Sequence, residues 1–102
     1  MKAVKVEYTV KPEYVEQNKA NIRTVMEALR ANPIDGMQYS TYTDAEHPNS
    51  FIHINMCRDE ATMAKLQDLR EFNAFRMALK ASQPLSPPKQ TTLSLVGAGF
   101  EL

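Results

Sequence analysis

This chain reads as a single α+β domain with the element order β-α-β-β-α-β and an antiparallel sheet, and three observations carry that reading. Residues 3–10 alternate strictly between apolar and polar, residues 13–31 carry an apolar stripe at helical spacing, and two adjoining strand-like segments follow before a second helical stretch. At 102 residues the chain has the length of one domain, 1–102, with no internal repeat and no linker long enough to divide it.

The first strand places Val4, Val6, Tyr8 and Val10 on one face and Lys5, Glu7 and Thr9 on the other. Lys11-Pro12 ends it, and Pro12 suits the first turn of a helix. Glu13 and Glu16 then lie where the helix dipole favours negative charge. Val15, Ile22, Val25, Met26 and Leu29 form the buried stripe of a helix that runs to about Ala31 and stops at Asn32-Pro33. Gly36 opens a second strand, Met37–Thr43, and the polar run Asp44–Ser50 is expected to turn into a third, Phe51–Cys57. Asp59 is placed to cap a second helix. Its apolar residues Met63, Leu66, Leu69, Phe72 and Phe75 step by three, which drifts about 60° per step around a straight helix. A break near Asp68–Glu71 is therefore expected. Gln83–Pro88 is expected to be loop, Thr91–Val96 a last strand, and the glycines at 97 and 99 the lead into a tail. This order is the ferredoxin-like arrangement, in which both helices cover one face of the sheet.

The segment Phe51–Cys57 carries the strongest functional signal. Ile52, Ile54 and Met56 point to one face, and Phe51, His53, Asn55 and Cys57 to the other. Both faces therefore call for a cover, and polar groups in a buried middle need partners or a ligand. The apolar triad is expected to face a second copy of the chain, giving a sheet-to-sheet homodimer.

Composition narrows the function classes. Lys+Arg and Asp+Glu are 12 each with no basic block, which argues against nucleic acid or an anionic membrane as partner. A neutral chain also has little net charge to keep it monomeric. One cysteine excludes an intrachain disulfide and fits a reducing compartment. No apolar run approaches about 18 residues, and the first strand begins where a signal peptide would lie, so a cytoplasmic location is expected.

Several motifs are similar to those of the antibiotic-biosynthesis-monooxygenase-like domains of the dimeric α/β-barrel superfamily. They are Gly36-Met-Gln-Tyr39, the Asp44 to Pro48-Asn49 turn, the Phe51–Met56 strand followed by Arg58-Asp-Glu-Ala61, and Glu71-Phe-Asn-Ala-Phe75. The resemblance runs from Val4 to Val96. It implies a homodimer whose two sheets form a barrel, with a cleft between sheet and helices in each subunit. It also implies cofactor-independent oxidation of a small aromatic or quinone-like molecule. Cys57 stands where the family commonly has Trp, Glu71 where it often has His, and Val6 where the haem-degrading branch uses Asn. Those differences point away from haem breakdown.

Within such a cleft His53 and Asn55, about 6–7 Å apart along the strand, are the candidate catalytic pair. Asn55 would orient a carbonyl or phenol oxygen, and His53, with a near-neutral pKa, would accept a phenolic proton. Tyr8, Tyr39, Cys57, Phe72, Phe75 and Arg76 are the candidate substrate contacts: hydroxyls from the tyrosines, apolar walls from the phenylalanines, and a cation for an anionic group from Arg76. The same residues also have plain structural readings. His53 and Asn55 can form a satisfied polar patch of core, Phe72 and Phe75 can be core, and Arg76 can be a solvated arginine. Cys57 lies roughly 13 Å from His53, too far to share a metal. Arg58 points away from it, so its thiol is expected to be inert. No metal site, Gly-rich phosphate loop or Ser-His-Asp set is readable. A non-catalytic small-ligand-binding or stress-associated dimer, and a purely structural association domain, remain alternatives. An RNA-binding domain of this fold would need exposed aromatic and basic strand residues that are missing.

Overall fold

The computed structural model describes residues 1–102 and has the expected α+β ferredoxin-like architecture. Its elements are β1 (Lys2–Thr9), a 3-10 turn (Pro12–Tyr14), α1 (Val15–Ala31), β2 (Met37–Asp44), β3 (His47–Cys57), α2 (Glu60–Ala64), a second 3-10 turn (Lys65–Asp68), α3 (Arg70–Ala81) and β4 (Ser86–Leu93). The strands form one antiparallel sheet in the order β2-β3-β1-β4, which puts β3 and β1 in the middle and leaves β2 and β4 as edges. No helix is long and apolar enough to cross a membrane.

The alternating face of β1 and the stripe of α1 meet in a core of Tyr8, Val10, Ile22, Val25, Phe51, Phe75 and Leu79. It lies between the sheet and α1 and α3, which pack on each other. Phe51, only 1 % exposed, is the largest fully buried side chain; burying such a ring stabilises the fold by roughly 3 kcal/mol. On the other face of the sheet Ile52, Ile54 and Met56 are half-buried.

The break in the second helix lies where the drifting stripe places it. Asp59 caps α2, its Oδ1 accepting from the Thr62 backbone N–H at 2.8 Å and the Thr62 hydroxyl at 2.6 Å. After the 3-10 turn Leu69 adopts an extended conformation and α3 starts afresh. The Asn73 side chain donates to the Gln67 carbonyl at 2.8 Å and holds α3 against that turn. The restart rotates Phe75 and Leu79 onto the sheet, where a straight helix would have carried the stripe away.

Three expected boundaries are corrected. The turn expected over Asp44–Ser50 is only Ala45-Glu46, and β3 begins at His47. Asp44 Oδ1 accepts from the Glu46 N–H at 2.9 Å, closing the hairpin locally, with a bulge between Thr43 and Asp44. Pro48 fits there because regular pairing to β1 starts only at Ser50. The expected loop Gln83–Pro88 gives way to β4 from Ser86. Thr9 pairs Ser86 and Glu7 pairs Lys89, so Pro87-Pro88 form a bulge on an edge strand, where missing N–H groups cost little. Finally, β4 ends at Leu93 and not Val96, because its partner β1 runs out opposite it at Ala3.

Gly36 supplies the entry to β2. Its φ is +80°, its carbonyl accepts from the Arg58 N–H at 2.8 Å, and the Arg58 guanidinium lies over it while pairing with Asp35 at 3.0 Å. An added Cβ would meet Arg58 Nη2 at 2.5 Å, but that is the end of a flexible chain. The backbone is what cannot adjust. Gly36→Ala should therefore lower stability by about 1 kcal/mol in urea unfolding, and Arg58→Ala in the same chain should not restore it.

Candidate functional site

The central position of β3 makes the site. Opposite His53 stand Val6 on β1 and Thr41 on β2, while Tyr8 pairs with Phe51 and Tyr39 with Asn55. The two tyrosines are thus diagonal neighbours of His53, within reach of long side chains on one face of a sheet. Tyr8 Oη lies 2.7 Å from His53 Nε2 and Tyr39 Oη 2.6 Å from Nδ1, with Thr41 Oγ1 3.0 Å from the same nitrogen. From α1, Asn18 Nδ2 donates to Tyr8 Oη at 2.9 Å. Tyr8, Tyr39 and Thr41 thus occupy both ring nitrogens of His53, one of which donates and the other accepts in a neutral imidazole.

Burial sets the charge states. His53 is 4 % exposed, and desolvation drops its pKa from 6.5 to about 4, so the imidazole is neutral at pH 7. That corrects the expected near-neutral value: hydroxyl partners do not offset the cost of burying an imidazolium. Burial pushes the Tyr8 and Tyr39 hydroxyls well above the ordinary phenol value. The cluster is a set of neutral donors and acceptors.

The cluster forms the floor of a cavity of about 880 Å³ between the sheet and α2–α3. Tyr8, Tyr39, His53, Asn55, Phe72, Phe75 and Arg76 all line it. Seven of the eight expected site residues are thereby brought together. Phe75 lies 5.4 Å from the His53 ring, and Phe72 meets Tyr39 edge-on at 6.1 Å; they wall the space without filling it. Cys57 is the exception. It is fully buried where α2 packs on the end of β3, and does not line the cavity. Its thiol donates to Asn55 Oδ1 at 3.4 Å and burial raises its pKa, so it props Asn55 from behind and is not a substrate contact. Asn55 lines the cavity, and no side chain accepts from its amide nitrogen.

Two members were missed by sequence reasoning, and each had a signal. Asn18 falls between Val15 and Ile22 at positions 15, 18, 22, 25 and 29, a polar residue on the apolar stripe of α1. It is fully buried, and its amide reaches the Tyr8 hydroxyl through Nδ2 while Oδ1 has no protein partner. Thr41 is two residues from Tyr39 on the same face of β2, directly opposite His53. No group of three or more His, Cys, Asp or Glu side chains is arranged to hold a metal ion. A second groove of about 990 Å³ runs between α1 and the β2 edge, but neither His53 nor Asn55 reaches it.

No family model and no curated protein matches the chain by sequence. Its structure matches many solved ones. A structure described as an antibiotic biosynthesis monooxygenase superposes with a TM-score of 0.81 at 19 % identity, covering 95 % of this chain and 100 % of that one. Rv0793 from Mycobacterium tuberculosis gives 0.82 at 15 % identity, covering 97 % and 98 %. SnoaB from Streptomyces nogalater, a cofactor-independent oxygenase, gives 0.72 at 16 % identity, covering 98 % and 97 %. The chain has the fold of the antibiotic biosynthesis monooxygenase structures over nearly its whole length.

The depressed pKa of His53 makes stability pH-dependent. Below pH 6.5 the unfolded chain takes up a proton that the folded chain refuses until about pH 4, so the stabilisation is present above 6.5 and is lost as pH falls through that window. The loss should be about 3 kcal/mol between pH 7 and pH 4. Urea unfolding across this range should show that loss in the wild type in excess of His53→Gln.

Proposed function

We propose that this chain is a cofactor-independent monooxygenase of the antibiotic-biosynthesis type, acting on a small aromatic or quinone-like molecule in the sheet–helix cavity. The observation that carries the reading is the neutral donor floor, Tyr39 and Asn55 braced by His53, beneath aromatic walls. The likeness of fold to SnoaB, described as a cofactor-independent oxygenase, supports it.

The chemistry asks little of the protein beyond charge stabilisation. In a phenol whose ring system carries a methylene, molecular oxygen adds at the methylene carbon to give a hydroperoxide, which loses water to leave a carbonyl. The substrate supplies all four electrons, and one oxygen atom ends in the product and one in water. The demanding step is loss of a proton to leave an anion that can reduce molecular oxygen. Asn55 Nδ2 and the Tyr39 hydroxyl donate to the ring oxygen on which that negative charge gathers. His53 is a positioning residue: at a pKa of about 4 it is too weak a base for a phenol, whose ordinary value is near 10, and it holds Tyr39 in place. The released proton leaves to solvent at the cavity mouth.

A second reading, a non-catalytic small-ligand-binding or stress-associated protein, is favoured by one observation: both ring nitrogens of His53 are occupied by the protein itself. Oxygen uptake decides between them. With a panel of quinols, naphthols and anthrone, the wild type should consume oxygen above the buffer rate, and Asn55→Ala and Tyr39→Phe should each lose roughly tenfold or more. Ligand-dependent thermal shifts without oxygen uptake would establish the binder instead.

We also propose that the chain works as a homodimer through the outer sheet face, in a reducing, cytoplasmic compartment. Ile52, Ile54 and Met56 form an apolar rib down β3, with exposed Tyr42 beside it and the Lys5–Glu7 ion pair along its flank. An isolated chain leaves this rib half in water. Light scattering should give twice the chain mass, and Ile54→Asp should halve it while the circular dichroism spectrum is kept.

A further inference from the structure

The cavity is electrically lopsided. The chain carries equal numbers of acidic and basic residues, yet the cavity lining contains Arg76 and Lys80 and no carboxylate. Both cations lie one turn apart on α3, and neither forms an ion pair with an Asp or Glu, whereas five of the other ten Lys and Arg side chains do. Arg76 is also held in place. Its Nη1 donates to Gln67 Oε1 at 3.3 Å, and its guanidinium carbon sits 5.6 Å from the centroid of the Phe72 ring. Stacking and one hydrogen bond fix the plane of the fork while most of its five N–H donors remain unused. Phe72 in turn meets Tyr39 edge-on, so a single ring links the cation at the rim to the neutral donors of the floor.

On the reading that this cavity binds an aromatic molecule, we propose that its ligand carries a carboxylate on the ring system and that Arg76 is the residue that selects it. A planar carboxylate matches the guanidinium fork bidentately, which a hydrated point charge such as Lys80 does not. The floor offers neutral hydrogen-bond donors but no formal positive charge, since His53 is neutral and Asn55 is an amide, so the guanidinium of Arg76 is the stronger partner for a carboxylate. The anion therefore sits at the rim and the reacting oxygen at the floor, which fixes one direction of entry for the ligand.

Matched probes test this: 3-hydroxy-2-naphthoate and its uncharged amide, titrated calorimetrically. The wild type should bind the carboxylate about tenfold more tightly, and the preference should shrink in roughly 0.5 M NaCl. Arg76→Gln should erase the preference, the ratio of carboxylate to amide affinity falling to about one, while the circular dichroism spectrum shows that the chain is still folded. Equal binding of both probes by the wild type overturns the anion reading and leaves the ligand cavity standing. A preference that survives Arg76→Gln but vanishes in Lys80→Gln overturns the assignment to Arg76. Binding of neither probe overturns the cavity reading along with it.

Discussion

A neutral imidazole buried on the central strand is the constraint around which this molecule is organised. An imidazole in that position must have both nitrogens paired, and charging it would cost more than its hydroxyl partners return. Tyr8 on one neighbouring strand and Tyr39 with Thr41 on the other meet that demand, so β3 must lie between β1 and β2 in one register. A slip of one residue would turn His53 to the outer face and bring Ile52 or Ile54 inward. The helices obey the same constraint. Asn18 of α1 supplies the donor that orients the Tyr8 hydroxyl, and Phe75 of α3 covers the imidazole.

The irregular elements shape the space above this floor. An unbroken second helix would have spread Leu66, Leu69, Phe72 and Phe75 around its circumference. The restart at Arg70 gathers Phe72, Phe75 and Arg76 on the cavity side. The Pro87-Pro88 bulge keeps β4 as an edge strand while adding two rigid rings to the opposite wall. The outcome is a cavity graded from neutral hydrogen-bond donors at the floor, through aromatic walls, to two cations at the rim. Such a grade suits a flat molecule with different chemistry at its two ends. It also explains why likeness of fold alone carries little chemistry: the low-identity structures share the layers, and the grade belongs to the side chains.

The split of Phe51–Cys57 into two faces was readable from alternation alone, as were the helical stripe of α1, the cap at Asp59 and the break before Arg70. All of these depend on periodicity or local hydrogen bonding, which neighbouring residues suffice to specify. Two of the three mistaken boundaries share a different cause. Pro48, Pro87 and Pro88 signal loop locally, yet they sit in strands because pairing there asks for no N–H from them. Which strand is an edge is a property of the sheet, and no local pattern contains it.

The site divides along the same line. The sequence by itself determined that His53 and Asn55 share a face, that this face is buried, and that Phe72, Phe75 and Arg76 lie on the helix able to cover it. Only the tertiary structure decided that Tyr8, Tyr39, Thr41 and Asn18 close around His53, that the imidazole is therefore neutral, and that Cys57 stands behind Asn55 and outside the cavity. Protonation and access depend on desolvation and on partners distant in sequence, 45 residues apart for Tyr8 and His53. They come into being when the strands pair and the helices close over them.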